Sequence, residues 1–327
     1  MAVASPLLDL PLMGADRDRV EVALLGAVRT RDAYLTEIAS HLIVAGGKRL
    51  RPVMTIAAAQ VGSSAPVSDA VISGGIACEL VHLGSLYHDD VMDESTTRRG
   101  VETVNAKWGN LQAILAGDFL LARASEIAAS LGNEVAGLLA RTIGQLCEGQ
   151  IEELRHTYDP ARGVPSYLSS IDGKTASLFS TSARIGALVA GHGPAEVAAL
   201  TAYGTLYGMV FQIVDDILDV IATDDELGKP AGHDMEEGVY TLPVLLTLSR
   251  GDAPADELAS LLGRPLAADE RDRALKIVRS GDGVASAIET ARSYVKLAQD
   301  ECNRLAECAA TDALRAAPSA LLAGVIR

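Results

Sequence analysis

The sequence predicts an all-α protein, a single bundle of about ten or more helices, on three observations. Of the 327 residues 49% are hydrophobic but only 4% are aromatic, so Ala, Leu, Val and Ile must do the packing. Ala and Leu lead the helix-propensity ranking, whereas the aromatic residues that strands favour are scarce here. Apolar residues recur at helical spacing along most of the chain, and no stretch reads as a convincing alternating strand.

Residues 1–15 read as a flexible leader and 16–327 as one domain. Val20, Leu24, Leu25 and Val28 have helical spacing, which Tyr34, Ile38 and Leu42 resume. Gly46 and Gly47 break the pattern ahead of Lys48-Arg49-Leu50-Arg51-Pro52, and another helix opens after Pro52. Helices are expected over roughly 69–93, 108–131, 133–156, 166–190, 195–222 and 239–249. Gly62 to Pro66, Gly163-Val164-Pro165 and Gly191-His192-Gly193-Pro194 separate them. Shorter helices fill 252–327, set off by Gly251, Gly263-Arg264-Pro265 and Ser280 to Gly283. Segments 69–88 and 197–214 are apolar all round, which places them at the centre, packed on more than one side.

Charge and composition exclude several classes. A net charge of −15 leaves no basic surplus to neutralise a nucleic-acid backbone. Any phosphate site must be local, built from a few placed Lys and Arg. Cys78, Cys147, Cys302 and Cys308 form no CxxC pair and read as small apolar residues in a reducing compartment. The N-terminus lacks the basic start and apolar run of a signal peptide, and no uncharged stretch reaches membrane-spanning length, so a cytoplasmic protein is expected. A mean hydropathy of +0.21 points to a large buried interface or an apolar cavity.

Two motifs carry chemistry. Asp89-Asp90-Val91-Met92-Asp93 and Asp215-Asp216-Ile217-Leu218-Asp219 share one DDxxD pattern near the ends of two apolar helices. On a helix such carboxylates sit at about 0°, 100° and 40°, which gathers them toward one face. Clustered anions beside apolar residues require cations. Oxygen-only ligation suits a hard ion such as Mg²⁺, completed by water and phosphate oxygens. A solvated acidic helix end explains one such motif as well as a metal does; it explains two poorly.

Cations flank the motifs. Lys48, Arg49 and Arg51 follow the Gly-Gly turn, and Arg98 and Arg99 follow the first acidic motif. Guanidinium forks suit phosphate oxygens, and Lys acts as a point charge. Lys174 and Thr175 lie in an otherwise apolar segment, where a lysine is costly unless it meets an anion. Gln212, three residues before the second motif, could hold a metal-bound water or stabilise a cation; Lys229 follows in the next loop.

GGKRLRP at 46–52, HDDVMDESTTRRG at 88–100, KTA at 174–176, FQIVDDILD at 211–219 and GKPAGHDMEEGVYTLP at 228–243 resemble, in order and spacing, the signature blocks of the trans-isoprenyl diphosphate synthases, or polyprenyl synthetases. The resemblance covers nearly the whole chain. It implies helices around a central apolar cavity and a prenyltransferase joining isopentenyl diphosphate to an allylic diphosphate. By it, Asp89, Asp90, Asp93 and Asp215 bind Mg²⁺, three ions per site, with Asp216 and Asp219 in support. Lys48, Arg51, His82 and Arg99 take isopentenyl diphosphate; Arg98, Lys174, Thr175, Gln212 and Lys229 line the allylic site. His82 alone reads as a satisfied core histidine, but it lies two helical turns above Asp89 on one face. Many relatives carry a lysine where this chain has Val239, so one basic contact is absent.

The resemblance also implies a product-measuring tunnel behind the first acidic motif. Gly84 and Ser85 are small there, and Val81 further up is no aromatic plug. One helical turn rises ~5.4 Å, about one isoprene unit. A medium or long product, about hexaprenyl to decaprenyl, is therefore expected, and Gly84→Phe should shorten it. Geranylgeranyl diphosphate synthase is the alternative. A class I terpene synthase fits the intact second-diphosphate set less well, and a non-catalytic partner subunit fits the two complete motifs less well. A homodimer is expected, with a product able to enter membranes.

Overall fold

The computed structural model describes residues 5–223 and 231–326, and 75% of it is helical. Helices α1 (Met13–Ala27), α2 (Ala33–Val44) and α3 (Leu50–Ala59) lead into the long α4 (Asp69–Met92). Strands β1 (Thr97–Arg98) and β2 (Val101–Glu102) form a small hairpin before α5 (Val104–Trp108), α6 (Asn110–Ser130) and α7 (Asn133–Arg155). Then come α8 (Val164–Ile171), α9 (Ser177–Ala190) and α10 (Pro194–Ile221). The C-terminal part holds α11 (His233–Glu236), α12 (Leu242–Leu248), α13 (Ala253–Leu261), α14 (Ala268–Ser280), α15 (Gly283–Cys302) and α16 (Ala309–Ala323).

The all-round apolar segments are the central helices, as expected. Both α4 and α10 are long and apolar enough to cross a membrane, but most of each apolar window is buried inside the fold. Helices α3, α6 and α9 cover α4, while α9 and α15 cover α10. Small residues permit the closest crossings: a Cβ on Gly186 of α9 would come within 2.1 Å of the Thr55 carbonyl oxygen of α3. Helix α10 contributes to both apolar cores, through Leu200, Tyr203 and Tyr207 to one and through Val210, Ile213 and Ile217 to the other.

The helix ends follow local chemistry. The Asp32 carboxylate accepts the Tyr34 and Leu35 N–H groups at 2.9 and 3.3 Å and starts α2. Pro194 opens α10, and Glu196 reaches back to accept the Gly193 N–H at 3.2 Å. Pro318 inside α16 has no N–H to offer the Leu314 carbonyl; the buried Tyr203 hydroxyl donates to that carbonyl instead, at 2.7 Å.

Three expectations are corrected. The described part of the leader is packed: Pro6–Asp9 forms a 3₁₀ turn, and Leu7 and Met13 are fully buried. Apolar residues too few for a periodic pattern can still dock. The helix expected over 239–249 begins at Leu242, because Thr241 is extended ahead of Pro243 and the two residues before it are not helical. The β1–β2 hairpin escapes a reading by alternation because each strand is two residues long, Thr97 facing Glu102 and Arg98 facing Val101. Its turn residues, Arg99 and Gly100, both have positive φ, as a tight two-residue hairpin demands.

Candidate active site

A cavity of about 810 Å³ opens between the C-terminal turns of α4, the inner face of α7, the segment before α9, and α10. Its polar wall holds Arg51, His82, Asp89, Arg98, Arg99, Lys174, Thr175, Gln212 and Asp215, as read from the sequence. Its apolar wall includes Leu86, Ile114, Leu146, Ile151, Leu154 and Phe211.

Helix α4 sets the first acidic motif. His82, Ser85 and Asp89 recur at three and four residues and line the cavity together. Burial pushes the Asp89 carboxyl up against the pull of Lys174 and Arg98. Asp93, one turn on, is pushed up to about 6 by partial enclosure and by the negative charges of Asp89 and Glu237. Asp90 departs from the expected ligand set: it is fully buried, and Arg98 Nε donates to its Oδ1 at 2.5 Å. The 100° step between adjacent helical residues turns it away from its neighbours, so the gathering onto one face holds for Asp89 and Asp93 only.

The second motif divides in the same way. Asp215 lines the cavity; Asp216 and Asp219 are buried on the protein side of α10. Tyr167 Oη donates to Asp216 Oδ2, and Gln212 Nε2 donates to Asp216 Oδ1 at 2.8 Å. Asp219 accepts the Asp234 N–H at 3.4 Å. Asp216 and Asp219 thus stand in support of the cavity-lining Asp215, each carboxylate being engaged by protein donors.

The cations line the same cavity as these carboxylates. Arg51 approaches His82 Nε2 at 3.4 Å and stands 4.5 Å from the centre of the Phe179 ring. Arginine only donates, so His82 Nε2 accepts and the ring proton sits on Nδ1. Burial, then the charges of Arg51, Arg99 and Arg98, holds His82 well below its ordinary value and so neutral. Arg99 donates to the Leu42 carbonyl at 3.0 Å and to the Gly46 carbonyl, which clamps the Gly-Gly turn onto the hairpin. Arg49 plays a different part: it is buried and donates to Glu21 at 2.7 Å and Glu79 at 3.4 Å. Those two carboxylates outweigh its burial and hold its charge in place. Lys48 is exposed and lies outside the cavity wall; Lys229 lies outside the described residues.

Lys174 and Thr175 sit on a π-helical turn, Asp172–Ala176, between α8 and α9. Such bulges re-aim side chains without breaking a helix. The turn lies directly on α7, where a Cβ on Gly149 would come within 2.5 Å of the Lys174 nitrogen. Lys174 donates to Glu153 Oε1 at 2.6 Å, a partner that the sequence reading missed because a single Glu on an amphipathic helix carries no pattern. Thr175 Oγ1 donates to Gln212 Oε1 at 2.7 Å.

The tunnel expectation needs revision at Gly84. A Cβ there would lie 3.1 Å from the Gly117 carbonyl oxygen and 3.3 Å from the Leu121 side chain. Gly84 is thus a contact between α4 and α6, not open wall. Val81 is fully buried, and of the three named residues only Ser85 lines the cavity.

The donor set fits a hard divalent ion: Asp89 and Asp215 on the cavity wall and the exposed Asp93 one turn beyond Asp89 offer carboxylate oxygens only. Among the described residues, no three His, Cys, Asp or Glu side chains converge closely enough to hold an ion by themselves. Such an ion would need oxygens from the substrate.

A helical enzyme that sets clustered carboxylates and arginines around one end of an apolar cavity belongs to the class that handles anionic substrates with hydrocarbon tails. The chain belongs to the polyprenyl synthetase family, whose model matches residues 32–278, and it is a prenyltransferase. It is 40% identical over 299 residues to the nonaprenyl diphosphate synthase of Mycobacterium tuberculosis, covering 91% of this chain and 89% of that one. It is 44% identical over 235 residues to heptaprenyl diphosphate synthase component 2 of Geobacillus stearothermophilus, covering 72% and 73%. Among solved structures, it is similar to a Caulobacter crescentus polyprenyl synthase complexed with calcium and isoprenyl diphosphate. The TM-score is 0.90 and the identity 32%, over 97% of this chain and 96% of that one.

Proposed function

We propose that the protein is an all-trans polyprenyl diphosphate synthase of medium to long product, about hexaprenyl to decaprenyl, acting on isopentenyl diphosphate and an allylic primer in the cytoplasm. The single observation that carries this reading is the cavity itself, which gathers cations, carboxylates and an extensive apolar wall in one enclosure. Asp89, Asp93 and Asp215 would hold magnesium, three ions per site, together with diphosphate oxygens. When bound, magnesium supplies positive charge for the departing diphosphate. Arg98, Lys174 and Lys229 would add cationic support to that diphosphate. Arg51 and Arg99, with neutral His82 between them, would seat isopentenyl diphosphate, and Lys48 would close on it from the rim. The apolar wall excludes water from the reacting ends and takes up the growing chain. The absence of a bulky side chain at Ser85 supports the longer products over geranylgeranyl diphosphate.

Incubation with magnesium, labelled isopentenyl diphosphate and geranyl, farnesyl or geranylgeranyl diphosphate tests this, with dephosphorylated products sized by chromatography. Label in chains of six to ten units is the expected result; farnesyl or geranylgeranyl product alone would overturn the length assignment. A second reading draws on the relative named as a component: this chain would be the catalytic member of a two-part enzyme. Turnover by the purified chain alone would count against it. A homodimer is supported by the outer face of α6, where Leu111 and Leu115 are 75% and 66% exposed one turn apart. Light scattering that gave a monomeric mass would end that assignment.

A further inference from the structure

The cavity wall between Lys174 and Asp215 is set by a chain of hydrogen bonds that begins outside the cavity. Tyr167 on α8 is buried and does not line the cavity. Its hydroxyl donates to Asp216 Oδ2. Asp216 Oδ1, equally buried, accepts from Gln212 Nε2 at 2.8 Å, one turn earlier on α10. Gln212 Oε1 in turn accepts from Thr175 Oγ1 at 2.7 Å. The Arg162 guanidinium stands 5.8 Å from the centre of the Tyr167 ring and donates to Ser170 on the same helix, which keeps the ring in place.

The direction of each bond follows from proton counting. Asp216 Oδ1 accepts from the Gln212 amide nitrogen, so the NH₂ edge of Gln212 is turned toward Asp216. The Gln212 carbonyl must then face the other way, toward Thr175. The one hydroxyl proton of Thr175 is spent on that carbonyl, so Thr175 can offer the cavity lone pairs only. Two neutral oxygens are thereby turned toward a cavity whose polar lining also includes Arg51, Arg98, Arg99, Lys174, Asp89 and Asp215. Fixed dipoles of this kind favour positive charge developing nearby, and they cost no reorganisation when it develops.

We propose that Tyr167 is a positioning residue for the condensation: through Asp216 it fixes which edge of Gln212 faces the cavity, and through Gln212 it fixes the Thr175 hydroxyl. The inference rests on the prenyl-transfer reading of the site. Without the tyrosine hydroxyl, Asp216 Oδ2 loses that donor, so the carboxylate is no longer held in one position and the Gln212 and Thr175 side chains anchored on it lose their fixed placement.

A double-mutant cycle of wild type, Tyr167→Phe, Gln212→Ala and the double variant tests this. It is read as kcat and as KM for each diphosphate, with melting temperature as a control on the fold. Tyr167→Phe keeps the ring and should lower kcat roughly tenfold, with both KM values within about twofold of wild type. Gln212→Ala should cost at least as much, and the double variant should be no slower than Gln212→Ala alone. Losses that multiply, or a Tyr167→Phe variant that raises KM at unchanged kcat, would overturn the proposal. Were Tyr167→Phe to melt far below wild type, the same cycle with Thr175→Val in place of Tyr167→Phe reads the coupling from the other end of the chain; multiplying losses there overturn it equally. Wild-type protein that extended no primer would instead overturn the reading of the site, which separates the two failures.

Discussion

His82 is a histidine kept neutral by its neighbours, and that has a consequence for stability. The unfolded chain takes up a proton on this ring near the ordinary 6.5, whereas the folded chain, with the ring buried beside Arg51, Arg99 and Arg98, does not. The unfolded state therefore binds more protons below that pH, and this contribution to stability falls as pH drops through 6.5. One such group gives a slope of up to ~1.4 kcal/mol per pH unit. Melting temperature measured from pH 7.5 to 5 should decline less steeply for His82→Gln than for wild type; parallel curves would show that the ring protonates in the folded state. Much of the cavity's polar lining was legible in the sequence, because a lysine in an apolar segment, two DDxxD motifs at the ends of apolar helices and an Arg98–Arg99 pair beside the first of them all call for partners. Their division of labour was not. Arg49 stands between two site residues in sequence, yet only three dimensions show Glu21 and Glu79 closing on it, and Asp90 differs from Asp89 by nothing except 100° of helix.

Elements determine which substitutions report on function. Helices α4 and α6 meet at Gly84, so the shortening of product expected for Gly84→Phe gives way to a packing defect, because no volume exists between the would-be Cβ and the Gly117 carbonyl. Ser85, one residue on, faces the cavity, and Ser85→Phe should shorten the product by one or more isoprene units while leaving the melting temperature close to wild type. An unchanged product would place the growing chain elsewhere. A second element-scale expectation concerns α16. Tyr203 is the donor that compensates for the missing N–H of Pro318, and Tyr203→Phe leaves the Leu314 carbonyl buried without it. The cost should be about 1–3 kcal/mol in chemical denaturation, with kcat per folded molecule unchanged. Periodicity located the long helices because their apolar stripes are strong. It could not foresee that 166–190 is interrupted by a π turn, since one inserted residue in a helix leaves no compositional mark.

At the scale of the whole molecule, the two acidic motifs lie on the two central helices, and α3, α6, α9 and α15 hold those helices in place by apolar packing. The fold thus does not depend on the metal. The first motif is held there at a cost in burial and then in electrostatic repulsion, both of which raise the Asp93 carboxyl. No three of the described ligating side chains converge on one point, so the protein offers each ion an incomplete shell. Magnesium alone should bind weakly, and diphosphate alone meets both arginines and carboxylates, whose charges oppose. Together each completes what the other lacks. Protein stripped with a chelator should therefore melt cooperatively at nearly its usual temperature. Magnesium or inorganic diphosphate added singly should shift that temperature little, and the two together should raise it by roughly 5 °C at concentrations well above the dissociation constant. A full shift with magnesium alone would mean that the carboxylates already form a closed site. Unfolding on chelation would mean that the metal, not the packing of α4 and α10, holds the two motifs in place.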